Sequence, residues 1–333
     1  MEVGLVSTII PVFNRALLLT EAVASVLAQT YRPIEIIIVD DGSTDNTKQI
    51  VDKLAAEYPD EIKVIHQGNL GPGLAREAGK LAASGEFVQY LDSDDLLLPK
   101  KFELQVDGLK ANPQCGVSYG KTRFYRKGDT PRNIAWKRTG EMISKMFPSF
   151  LQSRWWDTST PLYRKNIIDQ VGSWSALSTE EDWEYDCKVA ALDVNLHYVN
   201  HFVSDTRLIH NNRLSMNGST DRHKLRHRAK AHILILKHAY QYGITNNCLE
   251  MQHFARELFL LARQCGTAKL KDEAIALFEL ARMASEKRRR NGWDFKIYKC
   301  ASKLIGWPLT GKIASCGWRF TKKIRLTKES VIL

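Results

Sequence analysis

Residues 34–45 read IEIIIVDDGSTD, an apolar and largely β-branched run that ends in paired acids and a glycine. A run of this length, closed by turn-forming residues, predicts a buried β-strand. Such a strand presents hydrogen-bond acceptors at the rim of a sheet, where a base or a ribose could bind. The alternative is a plain turn in which Ser43 or Thr44 caps the next helix, and both interpretations can hold together.

The alternation of short apolar runs and amphipathic segments continues on both sides of this strand. Further strands are predicted at residues 5–10, 63–65 and 87–91, and helices at residues 16–29, 47–58, 73–83 and 100–112. Strands and helices that alternate at this period predict an α/β fold in which a parallel sheet carries helices on both faces. Ligands of such sheets bind at the carboxyl ends of the strands.

The pattern changes twice further along the chain. Between residues 116 and 203 the alternation weakens, and aromatic and polar residues become frequent. Apolar residues at helical spacing then predict three helices, at residues 222–242, 248–265 and 270–289. We therefore expect one α/β domain over residues 1–215, a helical extension over residues 216–290 and a separate tail over residues 291–333.

The net charge of +11 is concentrated at the end of the chain, because residues 287–333 hold 13 Lys and Arg against 2 acids. Trp, Phe and Tyr alternate with these basic residues. This mixture suits an element that lies in the headgroup layer of an anionic membrane. The alternative is a basic helix packed on the rest of the protein. Nucleic acid is not expected as a partner.

Cysteine spacing and hydropathy bear on the compartment. The six cysteines form no CxxC pair, and the sequence shows neither a signal-like leader nor an apolar stretch of about 18 to 20 residues. These features predict a cytoplasmic protein. Its basic tail would place it peripherally at the inner face of the plasma membrane.

Two further segments carry groups suited to chemistry. In YLDSDD, residues 90–95, Asp92 and Asp94 leave a predicted strand two positions apart, and carboxylates are ligands that Mg²⁺ or Mn²⁺ prefers beside phosphates. The alternative is an acidic turn that caps the next helix. In NLGPGLAREAG, residues 69–79, glycines permit close backbone approach and Arg76 could reach a phosphate or a carboxylate. Neither dinucleotide-fold nor P-loop spacing is present.

Taken in order, these segments resemble the glycosyltransferases of family 2. The resemblance covers residues 3–215 and rests on STIIPVFNR (7–15), VDDGSTDNT (39–47), NLGPGLAREAG (69–79) and LDSDD (91–95). It implies the GT-A fold, a Rossmann-like, mostly parallel sheet flanked by helices. It also implies a nucleotide-sugar-binding half over residues 1–115 and an acceptor-binding half over residues 116–215.

The resemblance implies roles for particular residues. The nucleotide sugar would be bound by Pro11, Phe13, Arg15, Asp41, Arg76, Asp92 and Ser93. Within this set Asp41 would accept a hydrogen bond from the base, and Arg76 would pair with the base or a phosphate. Asp94, together with Asp92, would hold Mn²⁺ or Mg²⁺. Glu77 departs from the asparagine common in the family at that place.

The segment LSTEEDWE, residues 177–184, also fits the family. There a Glu-Asp pair opens a helix and its aspartate is the catalytic base, which here would be Asp182. The alternative is an acidic first helical turn favoured by the helix dipole. Arg207 and His210 resemble the family's basic loop, which can close over a diphosphate, although such residues are also common in solvated loops.

The sequence thus predicts metal-dependent, inverting transfer of a sugar from a nucleotide diphosphate, UDP above all, to a hydroxyl group. The acceptor would be a glycan, a lipid or a protein, in the synthesis of a cell-envelope glycan. Two rivals differ in class. One is a non-catalytic scaffold that binds partners through its helical region. The other is a nucleotidyltransferase, which would normally have a Gly-rich basic loop near its start, and residues 10–15 contain no glycine.

Overall fold

The computed structural model describes residues 1–209 and 220–329, the last fifteen of them by their backbone alone. The chain forms two compact units, residues 1–214 and residues 215–333. Each unit has its own secondary structure and its own packed interior.

The first unit is built on one sheet of eight strands. The strands are β1 (Glu2–Val12), β2 (Ile34–Asp40), β3 (Ile62–His66), β4 (Gly85–Tyr90), β5 (Leu96–Leu97), β6 (Cys115–Arg126), β7 (Leu162–Arg164) and β8 (Asn195–Leu208). The helices are α1 (Ala16–Leu27), α2 (Thr47–Glu57), α3 (Pro72–Ala82), α4 (Lys101–Ala111), α5 (Lys165–Val171) and α6 (Glu181–Ala190). A short 3-10 helix spans Ser149–Leu151.

The strand order is β3-β2-β1-β4-β7-β6-β8-β5. Strands β1 to β4 are parallel to one another, as are β6 and β8, whereas β7 is antiparallel to both of its neighbours and β5 is antiparallel to β8. The predicted α/β sheet flanked by helices is therefore confirmed, in a mixed form that keeps the parallel half at residues 1–90.

The main core lies between one face of the parallel strands and helices α1, α2 and α4. Ile10, Ile36 and Ile38 on the strands meet Leu19 of α1 and Phe102 of α4, and all five side chains are fully buried. Complete burial of such side chains contributes about 1.5–3 kcal/mol each. This packing fixes the strands whose carboxyl ends carry the candidate site.

Helix α3 covers the opposite face of the same strands and approaches them closely at Gly79. A Cβ atom on Gly79 would lie 2.4 Å from Cγ2 of Ile9 on β1 and 3.3 Å from Cγ2 of Val39 on β2. The missing side chain therefore sets the distance between α3 and the sheet. Arg76 lies on this helix about one turn earlier, so the same distance also places its guanidinium group.

The second unit is helical. It contains α7 (Arg222–Tyr242), α8 (Leu249–Thr267), α9 (Lys271–Ala284), α10 (Lys287–Arg290) and α11 (Trp293–Glu329), which is kinked at Gly306 with φ 79°. The helix predicted over residues 270–289 is split, because Ser285 leaves α9 with extended backbone angles and the amide of Glu286 donates to Oε1 of Gln252 at 3.2 Å. No helix within the described ranges is both long enough and apolar enough to cross a bilayer.

The predicted tail begins with the first turns of α11. The rings of Phe295 and Tyr298 are buried against Phe259 of α8 and Phe278 of α9, whereas Trp293 and Leu304 are almost fully exposed. The buried rings agree with the interpretation of a helix packed on the rest of the protein. The exposed apolar side chains leave the interpretation of a membrane contact open as a prediction.

We expect Gly79→Ala to destabilise the first unit by about 1–3 kcal/mol, because the added methyl group overpacks the interface between α3 and the sheet. Chemical unfolding of the purified protein measures this change. Leu81→Ala is the control on the same helix, since Leu81 is 76% exposed and its truncation should change stability by less than about 0.5 kcal/mol. Equal effects of the two substitutions would contradict the close approach at Gly79.

Candidate active site

The loops that follow β1 and β2 are joined by Asn14. Its side-chain oxygen accepts hydrogen bonds from the amide of Thr44 at 2.7 Å and from the amide of Asp45 at 3.3 Å. Its backbone has φ 52°, a left-handed conformation that asparagine tolerates better than most residues. Sequence reasoning missed Asn14, although an asparagine in the loop just after a strand was the available signal.

Asp41, placed by the sequence at the base, organises the loop before α3. Its carboxylate accepts hydrogen bonds from Nε2 of Gln67 at 2.7 Å and from the amides of Leu70 at 2.9 Å and Gly71 at 2.8 Å. The neighbouring candidates differ in exposure, since Pro11 is buried within β1 and the ring of Phe13 is 41% exposed. Contact of these three residues with a base stays a prediction.

The loop after β4 holds a dense group of acids. Asp94 forms an ion pair with Arg15, Ser93 between the two predicted metal ligands is buried, and Asp92 accepts from Nη2 of Arg76 at 2.7 Å. Burial raises the pKa of Asp94, against the lowering effect of Arg15, and the charge of Asp92 raises it further.

Asp95 completes this loop and faces inward. Its carboxylate accepts hydrogen bonds from the amide of Arg207 at 3.1 Å and the hydroxyl group of Ser159 at 3.3 Å. Burial raises the pKa of Asp95 well above its usual range, and the negative charges of Asp94, Asp92 and Asp157 raise it further. The carboxyl groups of this loop therefore lie close enough to raise one another's pKa values.

These carboxylates fit a divalent cation that is held jointly with substrate phosphates. In residues 1–209 and 220–329 no group of three or more His, Cys, Asp or Glu side chains is arranged to hold a metal ion by itself. Two aspartates are nevertheless a sufficient protein contribution, because Mg²⁺ usually takes only one or two carboxylates and completes its coordination with phosphates and water. The mutual repulsion of Asp92, Asp94 and Asp95, which raises the pKa values of Asp94 and Asp95, favours the same interpretation.

Arg76 connects this loop to the start of α6. It is almost fully buried, and its Nη1 donates to Oε1 of Glu181 at 2.9 Å while Nη2 binds Asp92. Its guanidinium carbon lies 4.9 Å from the centre of the Trp174 ring, within cation–π distance. The sequence placed Arg76 at a base or phosphate. In this structure the guanidinium group of Arg76 lies between the carboxylates of Asp92 and Glu181. It therefore brings the loop that carries Asp92 close to the helix start that carries Asp182.

Asp182, the predicted base, lies in the first turn of α6 with its side chain 31% exposed. Its Oδ2 accepts a hydrogen bond from Nη1 of Arg154 at 2.5 Å. Burial acts to raise the pKa of Asp182, but the positive charges of Arg154, Arg76 and Lys137 outweigh it, so the pKa is lowered. Asp182 is thus an ionised, reachable carboxylate at neutral pH.

Arg154 is a functional candidate that sequence reasoning missed. Its Nε donates to Oδ2 of Asp186 at 2.6 Å, so that one guanidinium group binds both Asp182 and Asp186. Asp186 also accepts from Nε1 of Trp156 at 3.1 Å and from the hydroxyl group of Tyr163 at 3.0 Å. No motif surrounds Arg154, because its partners lie 28 and 32 residues further along the chain.

The other predicted positions lie around this centre. Arg207, at the end of β8, donates from Nε to the carbonyl oxygen of Asp94 at 2.7 Å and pairs with Glu21. His210 lies outside the described residues. Glu77 accepts a hydrogen bond from the amide of Trp174 at 2.9 Å and pairs with Lys80 at 3.2 Å, so it holds the segment that carries the ring beside Arg76.

Comparison with known proteins shows which protein family this chain resembles. The family model described as glycosyl transferase family 2 matches residues 7–179. An uncharacterized glycosyltransferase of Nostoc sp. (strain PCC 7120) is 46% identical over 114 residues, which are 34% of this chain and 35% of that protein. The chain spans about a third or less of the first curated relatives it matches.

Solved structures share the fold. TarS of S. aureus, residues 1–349 in complex with UDP-GlcNAc, has a TM-score of 0.67 and 19% identity over 94% of this chain and 92% of its own. The mannosyltransferase PcManGT of Pyrobaculum calidifontis, in complex with GDP-Man and Mn²⁺, has a TM-score of 0.50 and 14% identity over 92% of this chain and 86% of its own. At these identities the likeness shows the GT-A fold.

We expect Arg76→Met to cost about 3–5 kcal/mol of stability, because it leaves the buried carboxylate of Glu181 without its cation. Denaturant unfolding at neutral pH measures the loss. Lys165→Met is the control: it breaks the ion pair with Asp169, in which the lysine side chain is 16% and the aspartate side chain 52% exposed, and a pair with an exposed partner contributes about 0–1 kcal/mol. A loss below about 1 kcal/mol for Arg76→Met would contradict the bridging role.

Proposed function

The chain belongs to glycosyltransferase family 2, and from this we propose that it transfers a sugar from a nucleotide diphosphate sugar to a hydroxyl group with inversion at the anomeric carbon. One observation carries the proposal. The buried guanidinium group of Arg76 binds Asp92 of the acidic loop and Glu181, the neighbour of Asp182, so the donor-side acids and the candidate base border one cleft.

In the proposed reaction Asp182 is the general base. Its lowered pKa keeps the carboxylate ionised at neutral pH, and its hydrogen bond to Arg154 orients it. Asp182 takes the proton of the acceptor hydroxyl group as that oxygen forms a bond to the anomeric carbon. The bond from that carbon to the nucleoside diphosphate breaks on the opposite face, which inverts the configuration.

Asp94 and Asp92 would hold Mn²⁺ or Mg²⁺ on the donor side. When bound, the cation would supply positive charge to the departing diphosphate. Arg15 contributes a second cation there, since its guanidinium group already lies against Asp94. The presence of Mn²⁺ in PcManGT, which shares the fold, supports this assignment.

We propose a UDP-sugar as the donor, supported by UDP-GlcNAc in TarS. Residues 1–115 would bind this donor, with Pro11, Phe13 and Asp41 at its base. Residues 116–215 would bind the acceptor. The acceptor would be a hydroxyl group of a glycan, lipid or protein in a cell-envelope glycan. Residues 216–290 would form the helical extension.

We also propose that residues 291–333 attach the enzyme peripherally to the cytoplasmic face of an anionic membrane. The exposed apolar side chains of α11, including Trp293, Ile297 and Leu304, support this contact. The excess of 13 basic over 2 acidic residues at positions 287–333 supports it as well.

Asp182→Ala should abolish sugar transfer and leave donor binding largely intact, because the substitution removes the proton acceptor and none of the donor-side acids. Nucleotide release from a panel of UDP-sugars with Mn²⁺ measures transfer, and calorimetric titration with UDP measures binding. Asp169→Ala, on the exposed side of α5, is the control and should retain normal turnover. Near-normal turnover of Asp182→Ala would refute the assignment.

Asp94→Ala should remove the effect of Mn²⁺ on nucleotide binding. We expect Mn²⁺ to tighten UDP binding to the unmodified protein by at least about tenfold relative to EDTA, or about 1.4 kcal/mol, and to leave UDP binding to the variant unchanged. The exposed Asp60 provides the control Asp60→Ala, which should respond to Mn²⁺ like the unmodified protein. An unaltered response of Asp94→Ala would exclude this residue as a metal ligand.

A further inference from the structure

The helical unit contains a cavity of about 570 Å³ at the kink of α11. Its rim includes Lys269 after α8, Lys271 at the start of α9 and Lys303 on α11, and Gly306 and Trp307 line it at the kink. No residue of the proposed active site lines this cavity, so the proposed transfer reaction does not account for it.

The three lysines at the rim are placed unfavourably for a protein without a ligand. Lys269 has φ 61°, a left-handed backbone conformation that is costly for a residue with a side chain. Lys271 is the first residue of α9, where the helix dipole disfavours a cation. All three side chains are exposed, and they form no ion pair with any of the described residues. An anion in the cavity would offset their repulsion.

Some cations of this unit have acidic partners. Lys299 pairs with Glu279 at 2.9 Å, and Arg226 pairs with Glu273 at 2.6 Å. Lys269, Lys271 and Lys303 have no such acidic partner among the described residues, and they differ from other unpaired lysines of this unit in lining one cavity. A phosphate group is the anion that such a set of flexible cations suits, because Lys binds phosphate as a point charge with three donors.

The wall of the cavity is held in place by packing. The Trp307 ring lies edge-on to Phe278 and Tyr298, with ring centres 5.6 and 5.7 Å apart. The carbonyl oxygen of Trp307 lies so close to Gly266 that a Cβ atom there would approach it to 3.0 Å. The left-handed conformation of Gly306 turns the chain between the two segments of α11. The cavity is thus part of the packed unit.

Apolar side chains are exposed beside the cavity on the same helix. Leu304 is 79% exposed, Leu309 49% and Ile313 58%. A soluble phosphorylated ligand would leave these side chains in water, whereas the acyl region of a membrane would bury them next to the phosphate layer. Basic and apolar groups together on one helix are typical of an interfacial element.

We propose that this cavity, defined by Lys269, Lys271, Lys303 and the kink at Gly306, binds the phosphate headgroup of an anionic phospholipid. The side chains of Leu304, Leu309 and Ile313 then enter the adjoining acyl layer. The proposal deepens the membrane contact proposed above for residues 291–333 and does not depend on the transfer chemistry.

The test is co-sedimentation of the full chain with vesicles of phosphatidylcholine, alone or with phosphatidylglycerol. Each lysine near an anionic surface contributes about fivefold to binding, so Lys269→Gln with Lys303→Gln should weaken binding to the anionic vesicles about 30-fold. The matched control, Lys230→Gln with Lys237→Gln, removes the same charge from exposed positions on α7 that do not line the cavity. It should weaken binding less than about threefold, since salt screens charges further than about 8–10 Å from the surface.

A second variant tests the proposed contact of the apolar side chains with the acyl layer, at a position where the substitution should not affect folding. Leu304→Gln changes a side chain that is 79% exposed, and it should weaken vesicle binding while leaving thermal unfolding unchanged. Glycerol 3-phosphate, the soluble headgroup, should compete with the vesicles. Binding of glycerol 3-phosphate by a protein that ignores anionic vesicles would overturn the assignment to a lipid.

The remaining outcomes separate the two membrane proposals. Equal losses in the cavity variant and in its matched control would overturn the cavity and leave a diffuse contact through the tail. Failure of the unmodified protein to bind anionic vesicles would overturn both. UDP-sugar turnover measured without vesicles reports on the transferase proposal independently, because none of these variants alters the first unit.

Discussion

The first unit depends on the pairing of one buried cation. The guanidinium group of Arg76 lies out of water between Asp92 and Glu181, and a buried charge is tolerated only when its partners are close and correctly oriented. The loop after β4 and the start of α6 must therefore meet at α3, although they are 89 residues apart along the chain. Helix α3 can serve as the meeting point because Gly79 lets it lie against the sheet.

The same principle applies to other acids of the candidate site, two of which pair with arginines. Arg15 pairs with Asp94, and Arg154 pairs with Asp182. These ion pairs orient both acids, and the pair with Arg154 also lowers the pKa of Asp182. The proposed donor and its cation would bring both signs of charge and could exchange partners with these acids and arginines.

The sequence predicted the parallel half of the sheet closely, because there each strand and helix is encoded by a local apolar pattern. Strand β7 has only three residues and is defined by partners on β4 and β6, so no local pattern could reveal it. The acids of the site were found through motifs. Their ion-pair partners were not: the resemblance placed Arg76 at a base or a phosphate, its contact with Glu181, 105 residues away in sequence, was not predicted, and Arg154 has no motif at all. Membership of glycosyltransferase family 2 disfavours the alternative of a nucleotidyltransferase.

Arg154 is shared between two carboxylates, and this sharing has a consequence for a full turnover. When a carboxylate base accepts a proton it loses its negative charge. A buried guanidinium group paired with that base alone would then be an unpaired buried charge, which is unfavourable. Asp186, held by hydrogen bonds from Trp156 and Tyr163, accepts a hydrogen bond from the same guanidinium group. In the proposed reaction, Arg154 would therefore still have a carboxylate partner while Asp182 carries the proton.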